Sequence, residues 1–326
     1  MKLQVGIVGG SGYTAGELLR LLVNHPNTEL NFVYSTTNAG KPLQVAHADL
    51  IGDTDVEFTD TINPDVDVLF LCLGHGRSRA FLEANTFSDK AKVIDLGNDF
   101  RLEDDKSFKG RNFVYGLPEL QKKDIETAKN IANPGCFATA IQSALLPLAA
   151  TNLIKDAIHV NATTGSTGAG VNPGATTHFS WRDNNFSSYK VFTHQHLGEI
   201  NQSLKQLQAS HTQPIFFIPN RGNFSKGIYA TIYTAYKGSN EDAVKLFKDY
   251  YKDAAFTIIS DTPISLKQVV NTNKCILYVE VKDGMILITS VIDNLIKGAS
   301  GQAIHNMNLM FGLEEKTGLN LKSSGF

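Results

Sequence analysis

The sequence predicts an α/β protein: a doubly wound parallel sheet at the N-terminus, then an α+β domain with a mostly antiparallel sheet. Apolar, β-rich segments alternate with helical segments over the first third of the chain, a rhythm typical of parallel sheets. Beyond residue 130 the chain becomes strand-biased. The length of 326 residues corresponds to about two domains at roughly 150 residues each.

The elements of the first third follow one another in a regular order. The segment LQVGIV is a strand that ends in Gly-Gly, and GELLRLLVN is a helix that ends before Pro26. The segments ELNFVYS, DVLFLCL and AKVIDL are further strands. DVLFLCL is almost wholly apolar, as expected of a strand buried on both faces. SRAFLEAN is the helix between the last two strands.

The elements of the second part are less regular. ATAIQSALLPLAA predicts a helix, and the Gly/Ser/Thr-rich segment TTGSTGAGVNPGATT predicts loops. GIYATIYTAY, CILYVEVK and MILITSVI are strands, the last two joined by Asp283-Gly284, which is typical of a type I′ hairpin. EDAVKLFKDYYKDA is a helix. ASGQAIHNMNLMFG spaces Ala299, Ala303 and Met307 along one face, which predicts a helix that packs back on the first domain.

Composition excludes several classes of protein. The chain has 32 acidic and 30 basic residues, a net charge of −2, so neither nucleic acid nor an anionic membrane is expected as a partner. Three cysteines are too few for a disulfide-stapled secreted scaffold and favour a reducing compartment. The N-terminal segment reads as a strand and not as a signal peptide. We therefore expect a cytoplasmic protein.

A glycine-rich loop joins the first strand to the first helix. In GGSGYTAGEL, Gly9, Gly12 and Ala15 follow the pattern G-x-x-G-x-x-A. Glycine lets the backbone turn tightly and approach a pyrophosphate, and the helix N-terminus offers N–H groups to that anion. The context of strand, loop and helix therefore predicts a Rossmann-type dinucleotide site. A purely structural strand–helix turn is the alternative.

The end of the second strand bears on the choice of cofactor. A cofactor without a 2′-phosphate usually meets an Asp or Glu at this point. The chain instead has Ser35, Thr36 and Lys41 here, in the segment STTNAGK. Hydroxyls and a lysine favour NADP over NAD, and a solvated turn is the alternative.

Cys136 is the candidate nucleophile. It lies in NPGCF at the start of an apolar helix. A helix N-terminus stabilises a thiolate, and a tight Pro-Gly approach exposes the sulfur. A buried small apolar residue is the alternative, and it fits Cys72 and Cys275, which lie in apolar strands.

Polar motifs supply candidates for acid–base chemistry and anion binding. His194, His196 and Glu199 fall in THQHLGEI, and either histidine could act as a general acid or base. His-x-His also suits a metal pair, but a companion ligand motif is absent from the sequence, so we predict no metal site. Arg101 and Arg221 follow strands in polar turns and could bind a phosphate or carboxylate.

Longer motifs resemble those of a known family. The segments are GGSGYTAGELLRLL, DVLFLCLGHGRS, IDLGNDFRL, YGLPEL, NPGCFAT, THQHLGEI, PNRG, DNLIKGASGQA and NMNLMFG. In this order they resemble the N-acetyl-γ-glutamyl-phosphate reductase family, one of the aspartate-semialdehyde-dehydrogenase-like acyl-phosphate reductases. The resemblance runs from end to end of the chain. It departs from the family pattern at Phe137, where tyrosine is common, and at Gln195 and Gly198 in the histidine motif.

The resemblance implies a mechanism with three catalytic residues. The Cys136 thiolate attacks the γ-acyl phosphate and expels phosphate, giving a thioester that NADPH reduces to the semialdehyde. His196 is the acid/base, chosen over His194 from the family motif, and Glu199 orients the site. The pathway implied is arginine biosynthesis.

The resemblance also implies the binding residues. The residues implied for the NADP cofactor are Gly9, Ser11, Gly12, Tyr13, Thr14, Ala15, Ser35, Thr36, Lys41, Gly74, Ser166, Gly168 and Asn294. The residues implied for the substrate are Arg101, Asn133, His194 and Arg221. The substrate is an N-acyl-γ-glutamyl phosphate, and the sequence leaves open whether the acyl group is acetyl or succinyl and which arginine takes the phosphate.

The domain assignment and the rival functions complete the expectations. Residues 1–135 and 299–326 are expected to form the NADP-binding domain, and residues 136–298 the catalytic, substrate-binding and dimerisation domain. The family suggests a homo-oligomer, a dimer or a tetramer. The nearest rival is aspartate-semialdehyde dehydrogenase, which YGLPEL and DNLIKGASGQA disfavour. A nucleotide-sensing module and a Cys-His hydrolase are the rivals from other classes.

Overall fold

The computed structural model describes residues 2–325. The chain divides into two compact units. The first comprises the residues up to Pro134 together with Ala299–Asn320. The second comprises Gly135–Gly298 together with the residues from Leu321 on.

The strands and helices are numbered in chain order. The strands are β1 (Leu3–Val8), β2 (Thr28–Tyr34), β3 (Phe58–Thr59), β4 (Val68–Leu71), β5 (Lys92–Asp95), β6 (Ser107–Phe108), β7 (Arg111–Tyr115), β8 (Asn130–Ala132), β9 (Ile158–Thr164), β10 (Ser187–Ser188), β11 (Ile215–Arg221), β12 (Ile228–Ala235), β13 (Thr257–Ser260), β14 (Cys275–Lys282) and β15 (Met285–Ile292). The helices are α1 (Tyr13–Leu22), α2 (Ser78–Ala84), α3 (Pro118–Thr127), α4 (Cys136–Ala150), α5 (Phe179–Arg182), α6 (His196–Leu207), α7 (Asn240–Tyr250) and α8 (Gly301–Met310).

The first unit is built on an eight-stranded sheet in the order β3-β2-β1-β4-β5-β8-β7-β6. All its neighbouring strands run parallel except β6 and β7. From β1 the chain passes to β2 on one side and later to β4 on the other. The order therefore reverses beside β1, which creates the crevice where open α/β sheets bind ligands. The predicted doubly wound parallel sheet is confirmed.

Helix α8 packs with α1 and α3 of the same unit. The sequence predicted one apolar face, but all ten residues of α8 are buried. Its polar side chains are accommodated by internal hydrogen bonds. The Asn306 amide donates to the carbonyl of Gly116 (2.9 Å), and Asn308 lies 3.1 Å from the His25 ring. The amide nitrogens of Gln302, Asn306 and Asn308 all donate to carbonyls, which offsets part of the cost of burial, while the amide oxygens of Gln302 and Asn306 have no partner within residues 2–325.

The second unit is built on a seven-stranded sheet in the order β10-β11-β9-β12-β15-β14-β13. Four of its six pairings are antiparallel, while β9–β11 and β13–β14 are parallel. The mostly antiparallel sheet is thus confirmed. Asp283 and Gly284 both have positive φ (51° and 76°) between β14 and β15, as a type I′ hairpin requires.

One face of this second sheet forms the core with α4, α6 and α7. Strand β12 alternates buried and more exposed residues, as a sheet with one core face does. Its other face carries aromatic side chains. His159 stacks on Tyr233 (centroids 4.8 Å apart) and lies beside Phe216 (5.3 Å). Among residues 2–325, no helix is both long and apolar enough to cross a membrane.

An ion-pair cluster fastens the chain after α8 to the first unit. Glu315 lies 2.8 Å from the ring of His305 on α8 and 2.5 Å from Lys122 on α3. The hydrogen bond to His305 and the charge of Lys122 hold the pKa of Glu315 at about 2, below its usual 4.5. A carboxylate with a lowered pKa stabilises the folded state above its unfolded pKa, and the effect is lost as pH falls through the folded pKa.

Glu315→Gln should therefore lower the free energy of unfolding at pH 7 by about 1 kcal/mol, a modest value because the partly exposed pairs are screened by solvent. The difference from wild type should shrink as pH falls below 4.5 towards 2. Urea unfolding across this pH range measures it. Glu126→Gln, an exposed change on α3, is the control. A difference that stays constant with pH would contradict the assignment.

Candidate active site

Cys136 is the first residue of α4, a 15-residue helix. The preceding Gly135 is the N-cap residue and has no side chain with which to cap the helix. The first turn, CFAT, carries no acidic residue. The half-buried thiol thus lies at a helix N-terminus whose dipole favours the thiolate.

A buried carboxylate joins α4 to α6. Glu199, 3% exposed in the first turn of α6, accepts a hydrogen bond from the backbone N–H of Gly135 through Oε2 (2.9 Å). Its other oxygen lies 3.8 Å from Nε2 of His196. Glu199 therefore contacts both the residue before the thiol and the candidate acid/base.

Two glycines allow close approaches in this site. A Cβ on Gly135 would come within 2.3 Å of His196 Nε2, so the imidazole lies directly against the Gly135 backbone. A Cβ on Gly298 would come within 2.7 Å of the Cβ of Cys136. Any larger residue at either position would push the imidazole or the cysteine out of place.

The two histidines lie together. Nδ1 of His194 accepts a hydrogen bond from the backbone N–H of His196 (3.2 Å), and the ring centroids are 4.5 Å apart. Because Nδ1 accepts, a neutral His194 carries its proton on Nε2. The Phe137 ring packs edge-on against His194 (5.4 Å) and Phe217 (5.2 Å). Phenylalanine at position 137 thus forms a wall of the histidine pair.

Tyr189 belongs to the site, although no motif in the sequence marks it. Burial and the charge of Cys136 raise its pKa to about 12, against the opposing effect of Arg221. The Arg221 guanidinium lies over its ring, 4.6 Å from the centroid. The Arg221 carbonyl accepts a hydrogen bond from Arg182 (2.7 Å), whose pKa is lowered by burial and by the charge of Arg221. Tyr189 therefore connects the thiol to the predicted substrate arginine.

Gln195, which departs from the family pattern, lies next to a lysine. Gln195 is exposed, and its side-chain oxygen accepts a hydrogen bond from Lys190 (2.9 Å). A cation therefore lies beside Gln195, one of the departures from the family pattern.

The predicted cofactor residues of the second unit form one loop cluster. Ser166 and Gly168 lie in the 3₁₀ turn Ser166–Ala169 after β9. Asn294 is buried and ties this turn to a neighbouring loop. Its amide donates to the Thr167 hydroxyl (3.1 Å) and accepts from the backbone N–H of Gly227 (2.6 Å). Both amide atoms of Asn294 are thus engaged inside the unit.

The glycine loop of the first unit fits a dinucleotide. Gly9 has φ +81°, and a Cβ there would come within 2.6 Å of the carbonyl oxygen of Cys72, so only glycine is accommodated. Gly12 precedes the ten-residue helix α1, whose first turn, YTAG, contains no acid. The helix N-terminus can therefore accept an anion. Ser11, Gly12 and Thr14 are half-buried, Tyr13 is exposed and Ala15 is buried.

The other first-unit candidates lie at the carboxyl ends of neighbouring strands. Ser35, which is buried, follows β2, with Thr36 and Lys41 exposed beyond it. Gly74 follows β4, with φ +81°. These loops flank the crevice at the reversal of strand order, where a dinucleotide binds in such sheets.

Arg101 and Asn133 are both buried in the first unit. Arg101 donates through Nη2 to the carbonyl of Leu96 (3.1 Å). The Asn133 amide donates to the carbonyl of Ala299 (3.0 Å) and accepts from Asn306 (3.1 Å). The side chain of Asn133 is thus engaged on both atoms by internal partners.

Family comparisons agree with this anatomy. Residues 4–128 match the model of the semialdehyde dehydrogenase NAD binding domain, and residues 136–294 match that of the semialdehyde dehydrogenase dimerisation domain. A protein of Christiangramia forsetii named N-acetyl-gamma-glutamyl-phosphate reductase is 61% identical, over 99% of this chain and all of its own. One of the same name from Parabacteroides distasonis is 54% identical over the same shares.

Solved structures show the same fold. Aspartate semialdehyde dehydrogenase II of Vibrio cholerae, complexed with ASA, superposes with a TM-score of 0.71 at 15% identity, covering 96% of this chain and 99% of its own. The Candida albicans aspartate semialdehyde dehydrogenase with NADP superposes with a TM-score of 0.70 at 15% identity, covering 95% of this chain and 99% of its own.

The chain is a member of the semialdehyde dehydrogenase family and, within it, of the N-acetyl-γ-glutamyl-phosphate reductases. The resemblance seen in the sequence motifs is confirmed. The protein is thus an oxidoreductase with a nicotinamide dinucleotide domain and a dimerisation domain.

Gly135→Ala tests the packing of His196 against the backbone. We expect kcat to fall about 10²-fold or more, because a misplacement of about 1 Å has that effect on a positioned group. Dinucleotide affinity, measured by calorimetry, should stay unchanged. Gly174→Ala is the matched control, since a Cβ there would meet its nearest neighbour at an ordinary 3.5 Å. Unaltered kcat in Gly135→Ala would show that the imidazole position does not matter.

Proposed function

We propose that the protein reduces N-acetyl-γ-glutamyl phosphate to N-acetylglutamate semialdehyde and phosphate with NADPH, as a step of arginine biosynthesis. The observation that carries this is the grouping of Cys136, His196 and Glu199 around Gly135 in a chain 61% identical to proteins of that name. A nucleotide sensor would have no use for a thiol at a helix N-terminus, and a hydrolase would have no use for the glycine loop.

The thiol opens the reaction. The Cys136 sulfur forms a bond to the acyl carbon, and the bond from that carbon to the phosphate oxygen breaks, so phosphate leaves with the electron pair. Bound NADPH supplies the hydride that reduces the resulting thioester. The carbon–sulfur bond then breaks, which releases the aldehyde and returns the Cys136 thiolate.

His196 moves the proton. In the forward direction it donates to the oxygen that gains charge when the thioester is reduced, and it accepts that proton again as the aldehyde forms. Glu199 supports this role because its carboxylate lies 3.8 Å from His196 Nε2 and orients the imidazole. The nearby Arg221, held over Tyr189, binds an anionic group of the substrate.

NADP is the proposed cofactor in preference to NAD. The strand β2 is followed by Ser35, Thr36 and Lys41, at a point where a carboxylate would repel a 2′-phosphate. Lys41 is exposed and offers that phosphate a cation. Residues Gly9 to Ala15 hold the pyrophosphate at the α1 N-terminus.

A homo-oligomer in the cytoplasm is the proposed assembly and location. The dimerisation-domain match supports an oligomer, a dimer or a tetramer. The aromatic face of the second sheet supports contact between copies, since Phe216 and Tyr233 are 39% and 40% exposed there.

The reverse reaction tests the proposed function. Purified protein with NADP and phosphate should oxidise N-acetylglutamate semialdehyde and be at least about 10²-fold less active on aspartate semialdehyde, since a buried polar mismatch discriminates strongly. NAD should support slower turnover than NADP. Comparing turnover of N-succinylglutamate semialdehyde with that of the acetyl compound shows which acyl group the protein prefers.

Cys136→Ser should abolish turnover while NADP still binds. Preference for aspartate semialdehyde, or normal turnover of Cys136→Ser, would refute the proposal.

The two histidines can be separated by substitution. His196→Asn should lower kcat about 10²-fold or more, the usual effect of losing a general acid or base. His194→Asn should raise KM more than it lowers kcat, because His194 is assigned to substrate binding. Steady-state kinetics of both variants, with circular dichroism as a check on folding, decide this. If His194→Asn caused the larger loss of kcat, the roles would be reversed.

A further inference from the structure

Asp95, the last residue of β5, and Asp99, in the loop after it, hold the loop after β4 and the start of α2. Asp99 accepts hydrogen bonds from the backbone N–H groups of Gly76 (2.8 Å) and Arg79 (3.1 Å), one through each oxygen. Asp95 accepts from the Ser78 hydroxyl (2.5 Å). We name these three contacts the Asp95–Asp99 clasp. It fastens the segment that follows Gly74 to the segment that leads to Arg101.

Arg79 reinforces the clasp. Its Nη2 donates to the carbonyls of Asp99 (3.1 Å) and Asp105 (3.1 Å). Its guanidinium lies 5.0 Å from the ring centroids of both Phe100 and Phe108. The start of α2 is therefore bound to the whole loop after β5 and must move with it.

The clasp requires a costly buried charge. Asp95 is fully buried, and its Oδ2 has no hydrogen-bond partner within residues 2–325. Burial raises its pKa to about 6, while Ser78, Gly97 and Arg101 lower it and Asp99 raises it. Burial and the charge of Asp95 also raise the pKa of the Cys72 thiol, which follows β4. Apolar side chains would fill this space at lower cost, so the carboxyl serves a purpose other than packing.

Gly97 brings the two carboxylates close together. A Cβ on Gly97 would lie 3.1 Å from Asp95 Oδ1 and 3.2 Å from Asp99 Oδ2. The backbone N–H of Gly97 also donates to Asp95 Oδ1 (3.0 Å). The two acids thus flank one residue and act as a single element.

The clasp joins the Gly74 loop, predicted to bind the dinucleotide, to the segment with Arg101, predicted to bind the substrate. The loop with Gly74 borders the crevice where strand order reverses. Arg101 is anchored by its bond to Leu96 within the clasp loop. We propose that Arg101 takes the substrate phosphate, and that Asp95 and Asp99 are positioning residues that couple binding of this phosphate to binding of the dinucleotide at the Gly74 loop. This inference rests on the proposed function.

Coupling of this kind is reciprocal. If phosphate at Arg101 orders the clasp loop, it orders the Gly74 loop too, and the dinucleotide then binds to a prearranged site. The dinucleotide must favour phosphate by the same factor. Each clasp contact is a hydrogen bond within the first unit, so its loss should remove the coupling more than it weakens the binding of either ligand alone.

Calorimetric titration of NADP, with and without saturating inorganic phosphate, tests the proposal. In the wild-type protein phosphate should lower the Kd of NADP by about fivefold or more, the usual range for coupled sites. The coupling ratio is the Kd of NADP without phosphate divided by its Kd with phosphate. In Asp99→Asn and in Ser78→Ala this ratio should fall towards one. Asp104→Asn, an exposed change of equal charge in the same loop, should keep the wild-type ratio. Arg101→Gln should remove the effect of phosphate.

Several results would overturn the proposal. These are a wild-type ratio of one, a wild-type ratio in both Asp99→Asn and Ser78→Ala, or a phosphate effect that survives Arg101→Gln. Ser78→Ala removes only one hydroxyl and keeps the test valid if Asp99→Asn unfolds. The proposed function is judged separately by the semialdehyde assay. If the protein turns over N-acetylglutamate semialdehyde but phosphate leaves the Kd of NADP unchanged, only the clasp proposal is refuted. If phosphate lowers the Kd of NADP about fivefold but the semialdehyde is not turned over, only the proposed function is refuted.

Discussion

The hydrogen bond from the Gly135 backbone to the Glu199 carboxylate fixes the arrangement of the site in the second unit. Gly135 precedes α4, where backbone N–H groups lack intrahelical partners, and Glu199 lies in the first turn of α6. One carboxylate therefore meets the positive ends of two helix dipoles. Because Glu199 is buried, this bond offsets the cost of its desolvation. Cys136 and His196, the first residues of these two helices, are brought together as a consequence.

Missing side chains are as important as present ones in both units. Gly135 admits the His196 imidazole, Gly298 admits Cys136, and Gly9 lets the loop after β1 approach the end of β4. In each case a Cβ would overlap a neighbouring atom at 2.7 Å or less. Close approach between backbone and functional group requires glycine, because a displaced group would lose the alignment that catalysis depends on. The constraint at Gly97 is weaker, since a Cβ there would lie 3.1 Å from Asp95 Oδ1 and a small shift of the carboxylate would accommodate it.

The sequence predicts best what is local. Strand–helix alternation in the first third, the Asp283-Gly284 turn and the start of α4 depend on neighbouring residues, and the structure confirms them. Strand β8 has only three residues, too few for a periodic signal, and the parallel pair β9–β11 joins segments more than fifty residues apart. Cys136, His196 and Glu199 stand in recognisable motifs. Tyr189 does not, because its proximity to the thiol arises from packing alone.

Asn133 and Asn294 show how a motif residue fixes the position of neighbouring loops. Each uses both its amide nitrogen and its amide oxygen for internal hydrogen bonds. Each amide nitrogen carries two hydrogens and each amide oxygen two lone pairs, so these internal bonds leave one donor and one acceptor site on each side chain. Asn294 instead joins the turn at Ser166 to the loop at Gly227. We therefore expect such residues to determine loop position and to keep one donor and one acceptor for the predicted ligand.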